Sequence, residues 1–356
     1  MKIPVNPPDF IKIITEKHEL LSEAFNTSIT DEKGRYLHWD KLRHLTPPSG
    51  FSSEEWWAII RFKRQNLFTM LTLFDKSNQP FKFCTPDSVN RDLHWLDMNA
   101  AGTISANQPV TNQGMQNTYL IKSLVEEAIN SSQLEGASTT RHVAKEMIRQ
   151  GRDPKDKSEQ MILNNFHAMQ FIRDFKNDKL TPSFLFELHR ILTDKALDDP
   201  EKAGVFRAKT DKVYVTDRTS SNVLHSPPHA SELPNRLESL CGFANNTSNS
   251  TFIHPVIRAI TLHFMLAYDH PFVDGNGRTA RALFYWSMIS QGYWLAEFIS
   301  ISRIIKLAPV QYGRAFLYTE TDDNDVTYFI IHHLEVIRKA IQDLHSYLEK
   351  KTKDIE

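Results

Sequence analysis

Over most of the chain beyond residue 117, apolar residues recur three and four apart, the spacing of helices with one buried face. Helices are predicted at about Thr118–Asn130, Ser132–Gln150, Lys157–Phe175, Pro182–Leu197, Ser231–Phe243, Pro255–Tyr268, Arg278–Ser290 and Asp325–Lys350. Before residue 102 the pattern is mixed. Phe10, Ile13, Ile14, Leu20 and Leu21 predict a helix over Asp9–Phe25, and Ser52-Ser53-Glu54-Glu55 opens another toward Arg64. Met70–Phe74 and Pro80–Cys84 flank the turn residues Asp75-Lys76-Ser77-Asn78 and predict a β-hairpin. A second short hairpin is predicted from Gly204–Val215 and Asn222–Leu224, closed by Ser226-Pro227-Pro228. The fold class expected is mainly α with two small hairpins. Its divisions are an α+β N-terminal module at 1–101, a polar linker at 102–117, a helical core at 118–300, and C-terminal helices packing on that core at 301–356. Trp39, Trp56, Trp57 and Trp95 are expected as packing residues of the module, since Trp contributes large buried area.

Composition narrows the function classes. The 356 residues exceed the usual span of one core. Forty-two basic residues against 43 acidic ones leave a net charge of −1, so no bulk charge draws the chain to nucleic acid or to an anionic membrane. No uninterrupted apolar run approaches ~18 residues, and the first residues lack a signal-peptide core. Two cysteines, Cys84 and Cys241, make neither a disulfide framework nor a CxxC zinc site, and the expected location is the reducing cytoplasm.

One stretch carries chemistry: His270-Pro271-Phe272-Val273-Asp274-Gly275-Asn276-Gly277-Arg278-Thr279-Ala280-Arg281. A helix must stop before Pro271, because the residue preceding a proline disfavours helical geometry. Another starts near Gly277. Gly275 and Gly277 let backbone N–H groups turn inward as an anion nest at a helix N-terminus, where the dipole also favours phosphate. Arg278 and Arg281, three apart, project from one side of the first turn, and two guanidinium forks beside a nest describe a polyphosphate site. Asp274 offers the single carboxylate that magnesium uses together with substrate phosphates, and His270 is the group able to act as a base near neutral pH. An EF-hand reading fails, since its twelfth position is Tyr285, and neither a P-loop nor an HExxH motif occurs. His189, His254 and His263 lie in apolar helical contexts that suit hydrogen-bonded structural histidines.

The stretch resembles the HPFxDGNGRxxR signature of the Fic family at every specified position, with the wider likeness covering roughly Thr118–Phe329. The resemblance implies a helical core with a short β-hairpin flap, and transfer of AMP from ATP, with Mg2+, to a Ser, Thr or Tyr hydroxyl of a target protein. His270 is then the base, Phe272 the loop anchor and Asp274 the magnesium ligand. Gly275, Asn276 and Gly277 cradle the phosphates. That cradle continues along the turn through Thr279 and Ala280, and Arg278 and Arg281 clamp the β- and γ-phosphates. Tyr312 lies where relatives place an adenine-side aromatic; it is equally a core tyrosine.

Ser131-Ser132-Gln133-Leu134-Glu135-Gly136 resembles the family's inhibitory [S/T]xxxE[G/N] motif. Ser131 and Glu135, four apart, share a helix face, and Glu135 reaching Arg281 would neutralise the γ-phosphate clamp. The other reading makes Ser131 an N-cap and Glu135 a solvated helix residue. Glu135 could also position water for removing the adenylyl group. The resemblance implies self-modification and a homodimer as further partners. Two other classes stay open: a module that binds nucleotide without turnover, and kinase-type transfer of the terminal phosphate.

Overall fold

The computed structural model describes residues 1–101, 113–217, 222–247 and 251–353. Most of the expected linker, 102–112, lies outside the described residues, as do positions 218–221 of the second hairpin. The fold is mainly α, with two antiparallel two-stranded sheets, as the apolar spacing predicts. Two compact units emerge, and neither is continuous in sequence. One comprises Met1–His94, Thr216–Leu224 and Val310–Leu334; the other comprises Trp95–Val215, His225–Pro309 and Glu335–Glu356.

In the first unit, α1 (Phe10–Glu16) and α2 (Leu20–Asn26) replace the single helix expected over Asp9–Phe25. The break follows from Lys17, which leaves helical geometry and closes α1 through its N–H to the Ile13 carbonyl. The short α3 (Trp39–Leu42) precedes α4 (Ser53–Gln65), which starts at a full capping box between Ser52 and Glu55. Trp39, Trp56 and Trp57 are buried with Leu42 and Ile60, the packing role expected of them, while Trp95 is half-buried. Strands β1 (Thr69–Phe74) and β2 (Pro80–Phe83) form the expected hairpin, its turn tied by Asp75 Oδ1 accepting from Ser77 and Gln79. A buried ionic network joins α4 to the distant 310–334 segment. Arg61 Nε donates to Asp322 at 3.0 Å, Arg64 Nη1 donates to Tyr328 at 3.0 Å, and the Tyr36 hydroxyl donates to Asp325 at 2.6 Å. Buried charges persist because each is paired.

α5 spans Asp87–Ala100. Helix α6 (Gln113–Leu134) continues through the break expected at Ser131, which corrects the helix predicted over Ser132–Gln150. The chain turns at Gly136, at φ 103°, and α7 (Arg141–Gln150) begins afresh behind its Thr140 cap. Ser131 is therefore interior to a helix rather than an N-cap. α8 (Lys157–Asp174) and α9 (Pro182–Thr193) follow, each capped by a side-chain oxygen from Asp156 and Thr181.

Among the described residues the second hairpin is shorter than expected: β3 (Val215–Thr216) pairs with β4 (Val223–His225), and Asp217 N–H donates to the Asn222 carbonyl at 2.9 Å. Residues 204–211 do not join it because their polar groups bond elsewhere. Arg207 N–H goes to the Pro271 carbonyl, and Ala208 N–H to Asp211 Oδ2. After α10 (Leu233–Ala244) comes α11 (Pro255–Asp269), buried on every face from Val256 to Leu266 as befits a central core helix. α12 (Asn276–Ser290) packs beside it. α13 (Ile301–Leu307), α14 (Pro309–Thr321) and α15 (Thr327–Lys353) complete the chain. Among the described residues no helix is long and apolar enough to cross a membrane.

Candidate active site

The α11–α12 junction is a helix end facing a helix start. His270 closes α11 in the left-handed region, at φ 46° and ψ 57°, with its N–H on the Leu266 carbonyl. A non-glycine residue there carries strain and is held by its surroundings. The Arg207 guanidinium supplies the hold, donating through Nε to the His270 carbonyl at 2.8 Å and through Nη2 to the carbonyls of Pro228 and Asp269. The half-buried imidazole directs Nδ1 to the Ala267 carbonyl at 3.1 Å. A carbonyl only accepts, so Nδ1 carries the proton and Nε2 keeps its lone pair. Burial lowers the His270 pKa to about 4, outweighing the Ala267 hydrogen bond, so the ring is neutral at physiological pH.

The loop from Pro271 to Gly275 is pinned from inside. Phe272 is fully buried and stacks on His189, ring centres 3.7 Å apart and planes 9° from parallel. Asn276 Oδ1 accepts from the Phe272 N–H at 3.0 Å, and its Nδ2 donates to the Phe272 carbonyl at 2.8 Å. His189 accepts from Gly204 N–H at Nδ1 and therefore donates from Nε2 to the Asp274 carbonyl, both at 2.9 Å. Burial lowers its pKa to about 4 as well, which keeps this bridging tautomer intact. Gly275 sits at φ 79°, and a Cβ there would meet Thr193 Cγ2 at 2.9 Å. Both backbone conformation and space demand glycine.

α12 starts at Asn276, and its first N–H groups have no partner within the helix. Around that end stand four charged side chains. Asp274 is exposed, with Oδ1 accepting from Gly275 N–H and Oδ2 3.6 Å from Arg278 Nη2. Arg278 is buried; Nη1 donates to the Leu192 carbonyl at 2.8 Å, while Nε and Nη2 have no hydrogen-bond partner. Burial lowers its pKa. Two unsatisfied guanidinium N–H groups at a helix N-terminus are a strong demand for an anion. Arg281, also buried, donates from Nε to Ser131 Oγ at 2.9 Å and from Nη2 to the Ser131 carbonyl at 3.0 Å and Glu135 Oε1 at 2.7 Å. Glu135 Oε1 lies only 2.2 Å from where a Cβ on Gly277 would stand, so its carboxylate covers the start of α12.

His270, Asp274, Gly275, Asn276, Gly277, Arg278, Arg281, Ser131 and Glu135 thus converge on one helix end. Thr279 and Ala280 lie deeper in α12, with the Thr279 N–H and hydroxyl both on the Gly275 carbonyl. Tyr312 belongs to the other compact unit, its ring near those of Phe316, Phe329, His332 and His333. Sequence reading missed Arg207, His189 and Thr193 as supports of the loop. The Gly204-Val205-Phe206-Arg207 segment was visible only as a hairpin border, since nothing local shows where its guanidinium goes. Among the described residues no group of three or more His, Cys, Asp or Glu could hold a metal ion by itself. One exposed carboxylate beside phosphate-binding groups nevertheless suits magnesium, a hard cation that takes one or two carboxylates plus substrate oxygens.

Comparison with known proteins agrees with this geometry. Residues 179–288 match the Fic/DOC family. The protein adenylyltransferase fic-1 of Caenorhabditis elegans is 30% identical over 183 residues, covering 50% of this chain and 33% of that protein. The protein adenylyltransferase Fic of Drosophila melanogaster is 34% identical over 134 residues, covering 37% of this chain and 25% of its own. The chain therefore spans a third or less of the length of these curated relatives. A crystal structure of a Fic family protein from Desulfovibrio desulfuricans G20 superposes with a TM-score of 0.58 at 21% identity, over 74% of this chain and 75% of that one. A variant fragment of C. elegans Fic-1 gives 0.57 at 17% identity, over 96% and 86%. At such identities the structures speak for the fold alone. The helical stretch built around His270 and the start of α12 is thus similar to the Fic/DOC family over residues 179–288.

Proposed function

We propose that this protein is a protein adenylyltransferase that moves AMP from ATP to a Ser, Thr or Tyr hydroxyl of a protein target, and that Glu135 restrains it at rest. The observation that carries the reading is the pairing of a neutral His270, Nε2 open and Nδ1 engaged, with the two buried Arg278 guanidinium nitrogens that lack a hydrogen-bond partner at a helix start. A base and a polyphosphate clamp on one loop serve nucleotide transfer better than passive binding. The curated relatives, named as protein adenylyltransferases, support the same chemistry.

In the proposed step His270 Nε2 takes the proton of the target hydroxyl. Its oxygen bonds to the α-phosphorus, the bond from that phosphorus to the bridging oxygen breaks, and diphosphate leaves. The N–H groups opening α12, with Arg278 and Arg281, bind and orient the triphosphate and stabilise charge growing on the leaving group. Asp274 would hold magnesium, which supplies charge neutralisation at the phosphates. Phe272, His189, Asn276 and Arg207 keep the loop fixed, so little reorganisation accompanies reaction. Buried free thiols at Cys84 and Cys241 support a reducing, cytoplasmic setting.

Intact-mass measurement of the protein after incubation with ATP and magnesium, alone and with cell extract, tests the reading and reports self-modification at the same time. Label from the α-phosphate is expected on protein, and none from the γ-phosphate. Transfer of γ-label, or equal α-label with His270→Ala, would overturn it.

A further inference from the structure

Two rows of side chains meet where α6 lies along α12. On α6 and the residue just after it they are Glu127, Ser131 and Glu135; on α12, Arg281 and Tyr285; each row is spaced by four, so each falls along one side. One rung of this ladder is the Arg281 contact with Ser131 and Glu135. The other touches no part of the site. The Glu127 carboxylate, 1% exposed, accepts from the Tyr285 hydroxyl at 2.9 Å, Ser300 Oγ at 2.8 Å, Ser302 N–H at 3.2 Å and the Ser302 hydroxyl. Tyr285 is itself held, accepting from Ile301 N–H at 2.8 Å. All the donors to Glu127 come from α12 or from the start of α13, none from α6.

A buried carboxylate persists only where hydrogen bonds satisfy it, and those bonds are directional. α6 makes other directional contacts, Ser132 Oγ donating to the Met161 carbonyl at 3.0 Å and Ser123 Oγ to the Phe298 carbonyl at 2.8 Å, one hydrogen bond each against the four gathered by Glu127. Val125, Ala128 and Ile129 pack against Ala144, Met147 and Ile162, an apolar contact that opposes separation more than sliding. The remaining face, with Tyr119, Lys122, Ser123 and Glu126, borders an open cleft of about 390 Å³. Of the groups that fix α6 along its own axis, Glu127 therefore gathers the most hydrogen bonds. Glu135 lies eight residues further on, just past the C-terminal end of α6, roughly 12 Å away at ~1.5 Å per residue. A slip of about an ångström there takes a 2.7 Å hydrogen bond out of range.

We propose that Glu127 is the positioning residue of the inhibitory segment: by gathering Tyr285, Ser300 and Ser302 it sets the reach of Glu135 to Arg281, and with it the resting activity. The proposal rests on Glu135 being inhibitory, and the experiment separates the two claims. Tyr285→Phe removes one donor and keeps the ring. Incorporation of α-labelled ATP is expected to rise about fivefold or more in the wild-type background and not at all in a Glu135→Gly background. Amide hydrogen exchange over residues 131–136 should rise in Tyr285→Phe. A purely structural loss would act equally with and without Glu135, and that result, or unchanged exchange at 131–136, overturns the proposal. If Glu135→Gly alone leaves incorporation at the wild-type level, the inhibitory reading fails, and exchange alone decides the anchor: a rise upholds it, no change overturns it. Should Tyr285→Phe fail to fold, Ser302→Ala removes a donor from α13 and carries the same comparisons.

Discussion

Arg281 Nη2 gives one hydrogen bond to Glu135 Oε1 at 2.7 Å and a second to the Ser131 carbonyl at 3.0 Å, so the guanidinium expected to grip the far end of a triphosphate is occupied by α6. The carboxylate also covers Gly277, where bound phosphate would lie. Glu135→Gly removes charge and bulk together and should raise the initial rate of α-labelled ATP incorporation by about tenfold or more, within the usual range of coupling between two states. Glu135→Gln, which keeps the volume and loses the charge, should fall between. A Glu135→Gly rate at or below wild type would show that this carboxylate does not restrain the enzyme.

The helix–loop–helix around His270 was legible because its determinants are local: a proline that stops one helix, two glycines that open the next, and two arginines three apart. Ser131 and Glu135 were legible as a pair by their spacing, although the predicted break at Ser131 was wrong; no residue there stops a helix, and α6 runs on to Leu134, just before Gly136 turns the chain. What stayed hidden depends on partners far away in sequence. Arg207 reaches 63 residues forward to the His270 carbonyl, and Arg61 reaches 261 residues to Asp322. Side-chain type predicts that such groups need partners, but only the tertiary fold chooses them. For the same reason the compact unit that joins Met1–His94 to Val310–Leu334 could not be read from periodicity.

The neutral His270 implies a pH profile. Burial brings its pKa from 6.5 to about 4, so the base form is present throughout the neutral range, and the acid limb of kcat/KM attributable to it, which reports the free enzyme, should centre near 4 rather than 6.5. Stability follows the same sign. Between about 4 and 6.5 the unfolded chain binds more protons at His270 and His189 than the folded one, so their contribution is present at neutral pH and is lost as pH falls through that window. Asp269, raised by burial to about 6, opposes this over its own range. The Tm should nonetheless fall from pH 6.5 to 4.5. A kcat/KM limb near 6.5 would place His270 in a more solvated setting than its packing describes.

Asp274 is the exposed carboxylate of the site, and Asp274→Asn keeps its shape and its acceptor for the Gly275 N–H while removing the charge. Magnesium held by a single protein carboxylate should then bind less well. The magnesium concentration giving half-maximal incorporation is expected to rise about tenfold, with ATP fixed and saturating. An unchanged magnesium titration would remove Asp274 from the metal site and leave it as the partner of Arg278.

Two glycines test how much of the loop's geometry is space rather than backbone. Gly151 and Gly275 both hold positive φ, 63° and 79°, but a Cβ on Gly151 meets nothing within 4 Å, whereas on Gly275 it meets Thr193 Cγ2 at 2.9 Å and His189 Nε2 at 3.3 Å. Gly151→Ala should show the conformational cost alone, about 1 kcal/mol in urea unfolding, with incorporation unchanged. Gly275→Ala adds the clash. His189 cannot move aside without loosening its bond to the Asp274 carbonyl, and Thr193 is fixed through its hydroxyl on the His189 carbonyl. A loss about 1 kcal/mol or more beyond that of Gly151→Ala is therefore expected, together with loss of incorporation. Equal destabilisation by the two substitutions would mean that the packing of α9 against the loop yields easily, and that His189 does not hold Asp274 in place.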